Sequence, residues 1–510
     1  MHLEDTICAP CTAHGGAIAI IRISGTQAIN IVSQIFQPKT GQPLTQRKTQ
    51  TLTFGNILTP TGETLDEVLV SLFRAPHSYT GEDTIEISCH DSQYIIHTLL
   101  EQLTLHGCRM AEPGEFTQRA YINGKMDLSQ AEAVADVIAA QTAATHRLAF
   151  SQMRGNYSQQ LHLLRDKLLH LTTLMELELD FSDHEDLEFA DRKALKQLCH
   201  DIEQTTGQLA DSFHLGNALK NGIPVAIIGD TNAGKSTLLN ALLHEEKAIV
   251  SHIHGTTRDV IEDTINIDGT TFRFIDTAGI RQATDEIEKI GITRTFQKLR
   301  QADIILWVAD ITDTRNIPNI HQQIQPYCQG KPLHLLLNKC DQLSPENIQH
   351  TLHTLPPLPC PRHLIAAKQL NHPQPTTPIP TQTHPDNHTT TSPDPTTTNP
   401  DAPTTTNPDA TTPQPLTLRQ LEEILKTAAD LPQIAEDSTP IVTNARHHAA
   451  LSQARTALRR VLDGLNTSLP TDLLSQDLRE ALHHLAEITG EAITTDEVLH
   501  TVFSHFCVGK

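Results

Sequence analysis

No run of about 18 apolar residues occurs in the chain, so no membrane-spanning helix is predicted. The opening residues, MHLEDTICAP, lack a basic segment followed by an apolar core, and no secretory signal is read there. Basic charge is in short supply. Thirty-eight Lys and Arg stand against 60 Asp and Glu, a formal net charge of -22. Strong nonspecific affinity for nucleic acid is therefore not expected, though a local basic patch is compatible with this total. The nine cysteines have neither metal-ligand spacing nor the density of a disulfide scaffold, which predicts a reducing, cytoplasmic setting. The 29 histidines are scattered and mark no metal cluster. No flavin-binding fingerprint is found. What the chain does have is length: 510 residues, enough for roughly three domains.

One stretch organises the rest: GDTNAGKST, Gly229 to Thr237. It follows the apolar run IPVAII and leads into STLLNALL, so the pattern G-x-x-x-x-G-K-S lies between a predicted strand and a predicted helix. Glycines let the backbone curl around phosphate oxygens, and the helix start offers free N–H groups. Asn232, Ala233, Gly234, Lys235, Ser236 and Thr237 are the expected nucleotide contacts, with Lys235 on the terminal phosphates and Ser236 on magnesium.

Partner motifs follow in order. SHIHGTTRDVIED carries Thr256 and Thr257, whose hydroxyls can close over the terminal phosphate and magnesium. DTINIDG and TTFRFIDTAG read as a hairpin ending in Asp276 and Gly279. Asp276 can orient magnesium through water, and Gly279 can offer an N–H to the terminal phosphate. PLHLLLNKCD supplies a strand and then Asn338, Lys339 and Asp341. A carboxylate accepts both N1 and N2 hydrogens of guanine, a paired donor edge that adenine lacks, so GTP is favoured over ATP. Asp341 is the expected specificity residue and Asn338 its orienter. HLIAAKQ reads as a further strand and a turn, Ala366, Ala367 and Lys368, beside the base. Isoleucine follows DTAG where Ras-type enzymes have the water-orienting glutamine. Glu286 and Glu288, in a charged helix start soon after, are candidates for that task.

The first 125 residues read as a compact α+β domain, with strands at AIAIIRI, LDEVLVSLF and DTIEISC and a helix at QYIIHTLLEQLTLHG. Arg22 and Glu86 are charges within apolar strands; a small-molecule site and a charged surface patch are both consistent with them. From Leu128 to about Leu219 the pattern is helical, with SQAEAVADVIAAQTAATHRLAF and KALKQLCHDIEQTTGQLADSF each read as continuous and Gly155 as a joint. Helical patterns return from Asn444. Residues 373–415 are rich in Pro, Thr, Asn and Asp and repeat TTTNPDA; a disordered insertion is predicted.

HGGAIAIIRISG, SYTGEDTIEISCH, PGEFTQRAYINGKMDLSQAEA, the guanine-nucleotide motifs, GTTRD, NARH and the terminal FCVGK together resemble the bacterial tRNA-modification GTPases of the wobble-uridine pathway. A ribosome-assembly or signalling GTPase would share the middle motifs but not both ends, and a noncatalytic GTP-binding scaffold is the third reading. The resemblance implies a folate-binding, dimerising α+β domain at 1–125. It implies a discontinuous helical domain at 126–221 and 433–510, and an inserted Ras-like α/β P-loop domain at 222–432. It implies a homodimer working with an FAD-dependent partner on tRNA. That reaction uses a tetrahydrofolate one-carbon unit to install an aminomethyl-type group at uridine C5. Arg22, Glu86, Lys125 and Lys510 become folate-site candidates, with 5-formyltetrahydrofolate or a relative as ligand. Asn232, Ser251, Ile253 and Thr256 become the potassium site, Ser236 and Thr257 the magnesium site, Glu288 the water-positioning group and Cys507 a candidate thiol. Departures from the family pattern are Asp230 in the phosphate loop, an HGG without its arginine, Asp91 in place of glycine and Ala366 in place of serine.

Overall fold

The computed structural model describes residues 5–180, 192–244, 263–275, 299–370, 414–429, 440–467, 469, 471–491 and 509. They fall into two compact units. One comprises Met1–Lys220 with Gln433–Lys510, and the other is Asn221–Pro432.

The first unit begins with a seven-stranded sheet. Its strands are β1 (Thr6–Pro10), β2 (Ile18–Ser24), β3 (Phe36–Pro38), β4 (Thr51–Leu58), β5 (Thr64–Phe73), β6 (Thr84–His90) and β7 (Cys108–Met110), in the order β3-β4-β5-β6-β2-β1-β7. All neighbours are antiparallel except β1 and β7. Alternation sorts the side chains. Ile21, Ile23, Val68, Val70, Leu72, Ile85 and Ile87 point to one face and form a core with α1 (Ala28–Ile35) and α2 (Gln93–Leu105). The intervening residues face the other way, and there Arg22 lies opposite Glu86 on β6, while Phe54 lies opposite Leu69.

A short helix, α3 (Glu115–Ile122), leads to a helical body made of α4 (Leu128–Ala139), α5 (Ala143–Met153), α6 (Asn156–Asp180), α7 (Arg192–Asp211) and α8 (Phe213–Asn221). Two later helices, Ala445–Asn466 and Thr471–Thr489, pack into the same core, where Leu168, Leu171, Ile202, Leu451, Leu458 and Leu478 are fully or almost fully buried. The stretch 129–150, read as one helix, is two. Ala140 is extended, and Thr142 caps the next helix by accepting the Thr145 N–H at 3.1 Å. The stretch from Lys193 also breaks, at Ser212, whose hydroxyl bonds the Leu209 carbonyl at 2.7 Å and accepts the Val442 N–H at 3.0 Å. Local side-chain bonds of this kind compete with the helix ladder and cannot be read from apolar periodicity.

The second unit has a six-stranded sheet: β8 (Ile223–Ile228), β9 (Asp263–Ile267), β10 (Thr270–Phe274), β11 (Ile304–Asp310), β12 (Leu333–Asn338) and β13 (Arg362–Leu364), ordered β13-β12-β11-β8-β10-β9. Only β9 runs antiparallel to its neighbour. Every residue of β8 is buried, as a central strand covered on both faces requires. The helix α9 (Lys235–His244) follows β8 directly. The strand expected over HLIAAKQ is shorter than read, stopping at Leu364 before the Ala-Ala-Lys turn. Most of the Pro- and Thr-rich tract, and the last part of the helical pattern that returns from Asn444, residues 492–508 and 510, lie outside the described residues.

Candidate nucleotide site

The site forms where β8, β11 and β12 end, the usual place for a ligand in a parallel sheet. Gly229 leaves β8 at φ +144, and a Cβ there would lie 1.9 Å from the Val308 carbonyl oxygen of the neighbouring strand. Asn232 takes a left-handed conformation at φ +66. Gly234 has φ +101, and an added Cβ would meet Asn338 Nδ2 at 2.1 Å. Both glycines are thus demanded by close approach as well as by backbone angle. The loop curls back so that Lys235 Nζ donates to the carbonyls of Gly229 at 2.7 Å and Asp230 at 2.6 Å. Burial pushes the Lys235 ammonium below its usual range, and the nearby Asp230 charge partly opposes this. An ammonium held over carbonyls in this way gains from exchanging them for phosphate oxygens.

Asn338 joins the two halves of the site. Its Nδ2 donates to the Ala233 carbonyl at 2.7 Å, and its Oδ1 accepts the Ala367 N–H at 3.0 Å. The expected task of orienting Asp341 is not among its hydrogen bonds in the described residues; its amide ties the phosphate loop to the Ala-Ala-Lys turn, because the end of β12 lies between those backbones. Asp341 follows a left-handed Lys339, while Cys340 turns into the core.

A cavity of about 500 Å³ opens over this framework. Asn232, Gly234, Lys235, Ser236 and Thr237 line one side, and Asn338, Lys339, Asp341, Ala367 and Lys368 the other. Ala233 and Ala366 are buried behind it. Ser251, Ile253, Thr256, Thr257, Asp276, Gly279 and Glu288 lie outside the described residues. Sequence reasoning gave no role to Asp310. That residue ends β11 and pairs with Lys339 at 2.5 Å. The available signal was a carboxylate closing a fully apolar strand.

In the first unit, β2 and β6 bring together Arg22 and Glu86, with Arg22 Nε donating to Glu86 Oε1 at 2.9 Å. The guanidinium stands 5.4 Å from the Tyr79 ring centroid and 5.6 Å from that of Phe116, two aromatics that sequence reading missed. The Gly509 carbonyl lies 3.5 Å from an Arg22 nitrogen and accepts from Cys11 Sγ at 3.1 Å. Lys125 donates to the Pro76 carbonyl at 3.0 Å instead of joining the pair. Cys507 and Lys510 lie outside the described residues. The departure at Asp91 has a local explanation: its carboxylate takes the N–H groups of Gly15 at 2.7 Å and Gly16 at 3.0 Å. Those bonds and His14 hold the carboxyl below its usual range.

A parallel sheet ending in a lysine-filled glycine loop, tied by an asparagine to an N-K-C-D segment, defines a P-loop guanine-nucleotide-binding domain. The family model described as the MnmE helical domain matches residues 128–507, and that of the GTP-binding protein TrmE N-terminus matches residues 6–125. A tRNA modification GTPase MnmE of Bacteroides thetaiotaomicron is 52% identical over 512 residues, covering 99% of this chain and 100% of its own. That of Phocaeicola vulgatus is 49% identical over 541 residues, covering 99% of each. The chain belongs to the MnmE family of tRNA modification GTPases. Among solved structures, the FeoB G-domain of Methanococcus jannaschii is 21% identical, covering 29% of this chain and 87% of its own, with a TM-score of 0.20. Among the described residues no helix is long and apolar enough to cross a membrane, and no group of three His, Cys, Asp or Glu is placed to hold a metal.

Proposed function

We propose that this protein hydrolyses GTP in the cytoplasm to drive modification of the wobble uridine of tRNA. It does so as a homodimer with an FAD-dependent partner that carries the redox step. The observation that carries the reading is the Asn338 bridge, which fixes the phosphate loop and the base-side turn around one cavity beside Asp341. Asp341 reads guanine N1 and N2, Lys235 meets the terminal phosphates, and Ser236 with Thr257 is assigned to magnesium. The left-handed Asn232, in the phosphate loop and lining the cavity, fits a potassium ligand; Ser251, Ile253 and Thr256 complete the assigned set. Bound magnesium and potassium supply positive charge where negative charge develops between the phosphates. Potassium held by Asn232, Ser251, Ile253 and Thr256 would supply charge that favours GTP-dependent pairing of two nucleotide domains.

The Arg22–Glu86 pair fits a reduced folate. A carboxylate accepts the paired N–H edge of a pterin, and Tyr79 and Phe116 flank the guanidinium. The same sheet face carries Leu52, Phe54 and Leu69, each at least 40% exposed. An apolar patch there suits a second copy of the chain. A tetrahydrofolate held by Arg22 and Glu86 would supply the one-carbon unit for the aminomethyl-type group. Glu86→Ala is expected to weaken 5-formyltetrahydrofolate binding by about tenfold or more, the loss of charged hydrogen bonds, with GTP affinity unchanged. Equilibrium dialysis against both ligands checks this.

Glu288→Ala is expected to bind GTP as before and to lose turnover by about a hundredfold, because water positioning is a transition-state contribution. Single-turnover assays in potassium and in sodium measure it; unchanged turnover removes Glu288 from the mechanism, and equal rates in both salts remove potassium. Mass analysis of wobble uridines in cells lacking the gene tests the whole reading. Intact C5 modification there would refute it.

A further inference from the structure

Lys339 is a non-glycine residue at φ +66, ψ +28. A left-handed non-glycine residue is strained and persists only where its surroundings hold it. Here the ammonium is bound to Asp310 Oδ2 at 2.5 Å. The other carboxylate oxygen is committed, accepting the Thr312 N–H at 2.9 Å and the Thr312 hydroxyl at 2.6 Å. The Ile311 N–H adds a bond to the Asn338 carbonyl at 3.0 Å. Neither partner of the ion pair is more than 28% exposed, so the pair is less screened than a surface bridge. Burial raises the Asp310 carboxyl, but Lys339 and Thr312 outweigh it and keep it below the usual range, ionised at neutral pH.

The turn at Lys339 decides which of the next two side chains enters the core. Cys340 is 4% exposed within the core cluster, and Asp341 lines the cavity. We propose that Asp310 is a specificity-positioning residue for guanine: by holding Lys339 in its left-handed turn, it presents Asp341 to the exocyclic amine. This rests on the assignment of Asp341 as the base reader.

The test compares affinity for GTP with that for inosine triphosphate, which differs only in lacking the exocyclic amine. Asp341→Ala is measured first and is expected to abolish the preference for GTP; if the preference survives, the base-reading assignment itself fails. Asp310→Ala is expected to weaken GTP by about tenfold and to narrow the GTP-over-inosine ratio by about fivefold, the scale of one mis-set hydrogen bond. Asp310→Asn keeps an oxygen for Thr312 but loses the charge, and is expected to fall between alanine and wild type. It also covers the case in which the alanine variant does not fold. A general loosening of the unit would weaken both nucleotides equally. Equal weakening, or unchanged or tighter GTP binding, in the presence of a normal Asp341→Ala result, overturns the role of Asp310.

Discussion

Gly234→Ala is expected to lower GTP affinity by about a thousandfold while leaving the second unit folded. Two costs combine. The residue stands at φ +101, where a side chain adds strain of roughly 1–3 kcal/mol. The new methyl would also lie 2.1 Å from Asn338 Nδ2, so that amide must move. Moving it breaks the bonds to Ala233 and Ala367, each buried and each worth about 1–3 kcal/mol when a partner is left unsatisfied. Taken near the low end of these ranges, the total is about 4 kcal/mol, about a thousandfold in a dissociation constant. Fluorescent-nucleotide titration reads the affinity, and thermal melting reads the fold. Gly269→Ala is the control. It has φ +88 in the same unit, with nothing within 4 Å of an added Cβ. The control carries backbone strain of the same kind but in the β9–β10 turn, outside the phosphate loop, so its GTP affinity should match wild type. If Gly234→Ala binds within threefold of wild type, the loop does not take this geometry around the nucleotide.

Glu132→Ala is expected to destabilise the first unit by about 3–5 kcal/mol, the cost of stranding largely buried partners of a charge network. Glu132 on α4 meets His447 Nε2 at 2.6 Å, Arg446 Nε at 3.0 Å and Asn444 Nδ2 at 3.0 Å. Arg446 continues to the Glu487 carbonyl at 2.6 Å. One carboxylate thereby joins helices separated by some three hundred positions, and the neighbouring Gln152 adds a bond to the Ile441 carbonyl at 2.7 Å. Burial would raise the Glu132 carboxyl, but His447 and Arg446 outweigh it and hold it at about 2. A carboxyl lowered by folding stabilises fully above its unfolded value, near 4.3, and loses that contribution as pH falls toward its folded value. The gap in melting temperature between wild type and variant, roughly 10 °C at pH 7 for a unit of this size, should therefore narrow below about pH 4.3. A constant gap down to pH 3.5 would show that the network contributes through packing instead of charge.

The two variants sample different kinds of information. Gly234 was legible as a phosphate-loop glycine from G-x-x-x-x-G-K-S, and NARH was legible as part of a family pattern. What each residue touches was not. Asn338 illustrates the limit. Its place in N-K-C-D marked it as a guanine-site residue, and the natural guess made it the support of Asp341. The fold instead sets it between Ala233 and Ala367, partners 105 and 29 positions away.

Chain order alone established the nucleotide class, the order of the motifs, the alternating strands of the first sheet and the family. These are local or collinear properties: loop chemistry, period-two patterning and motif spacing all act within a few residues. Tertiary structure decided the rest. It set Arg22 opposite Glu86 through strand register, brought Tyr79 and Phe116 beside them, turned Asp310 onto Lys339, and cut two long helical patterns at Thr142 and Ser212. Each depends on which distant backbone arrives at a given polar atom, and that is fixed by packing the sheets and helices together, a constraint no short window of residues contains.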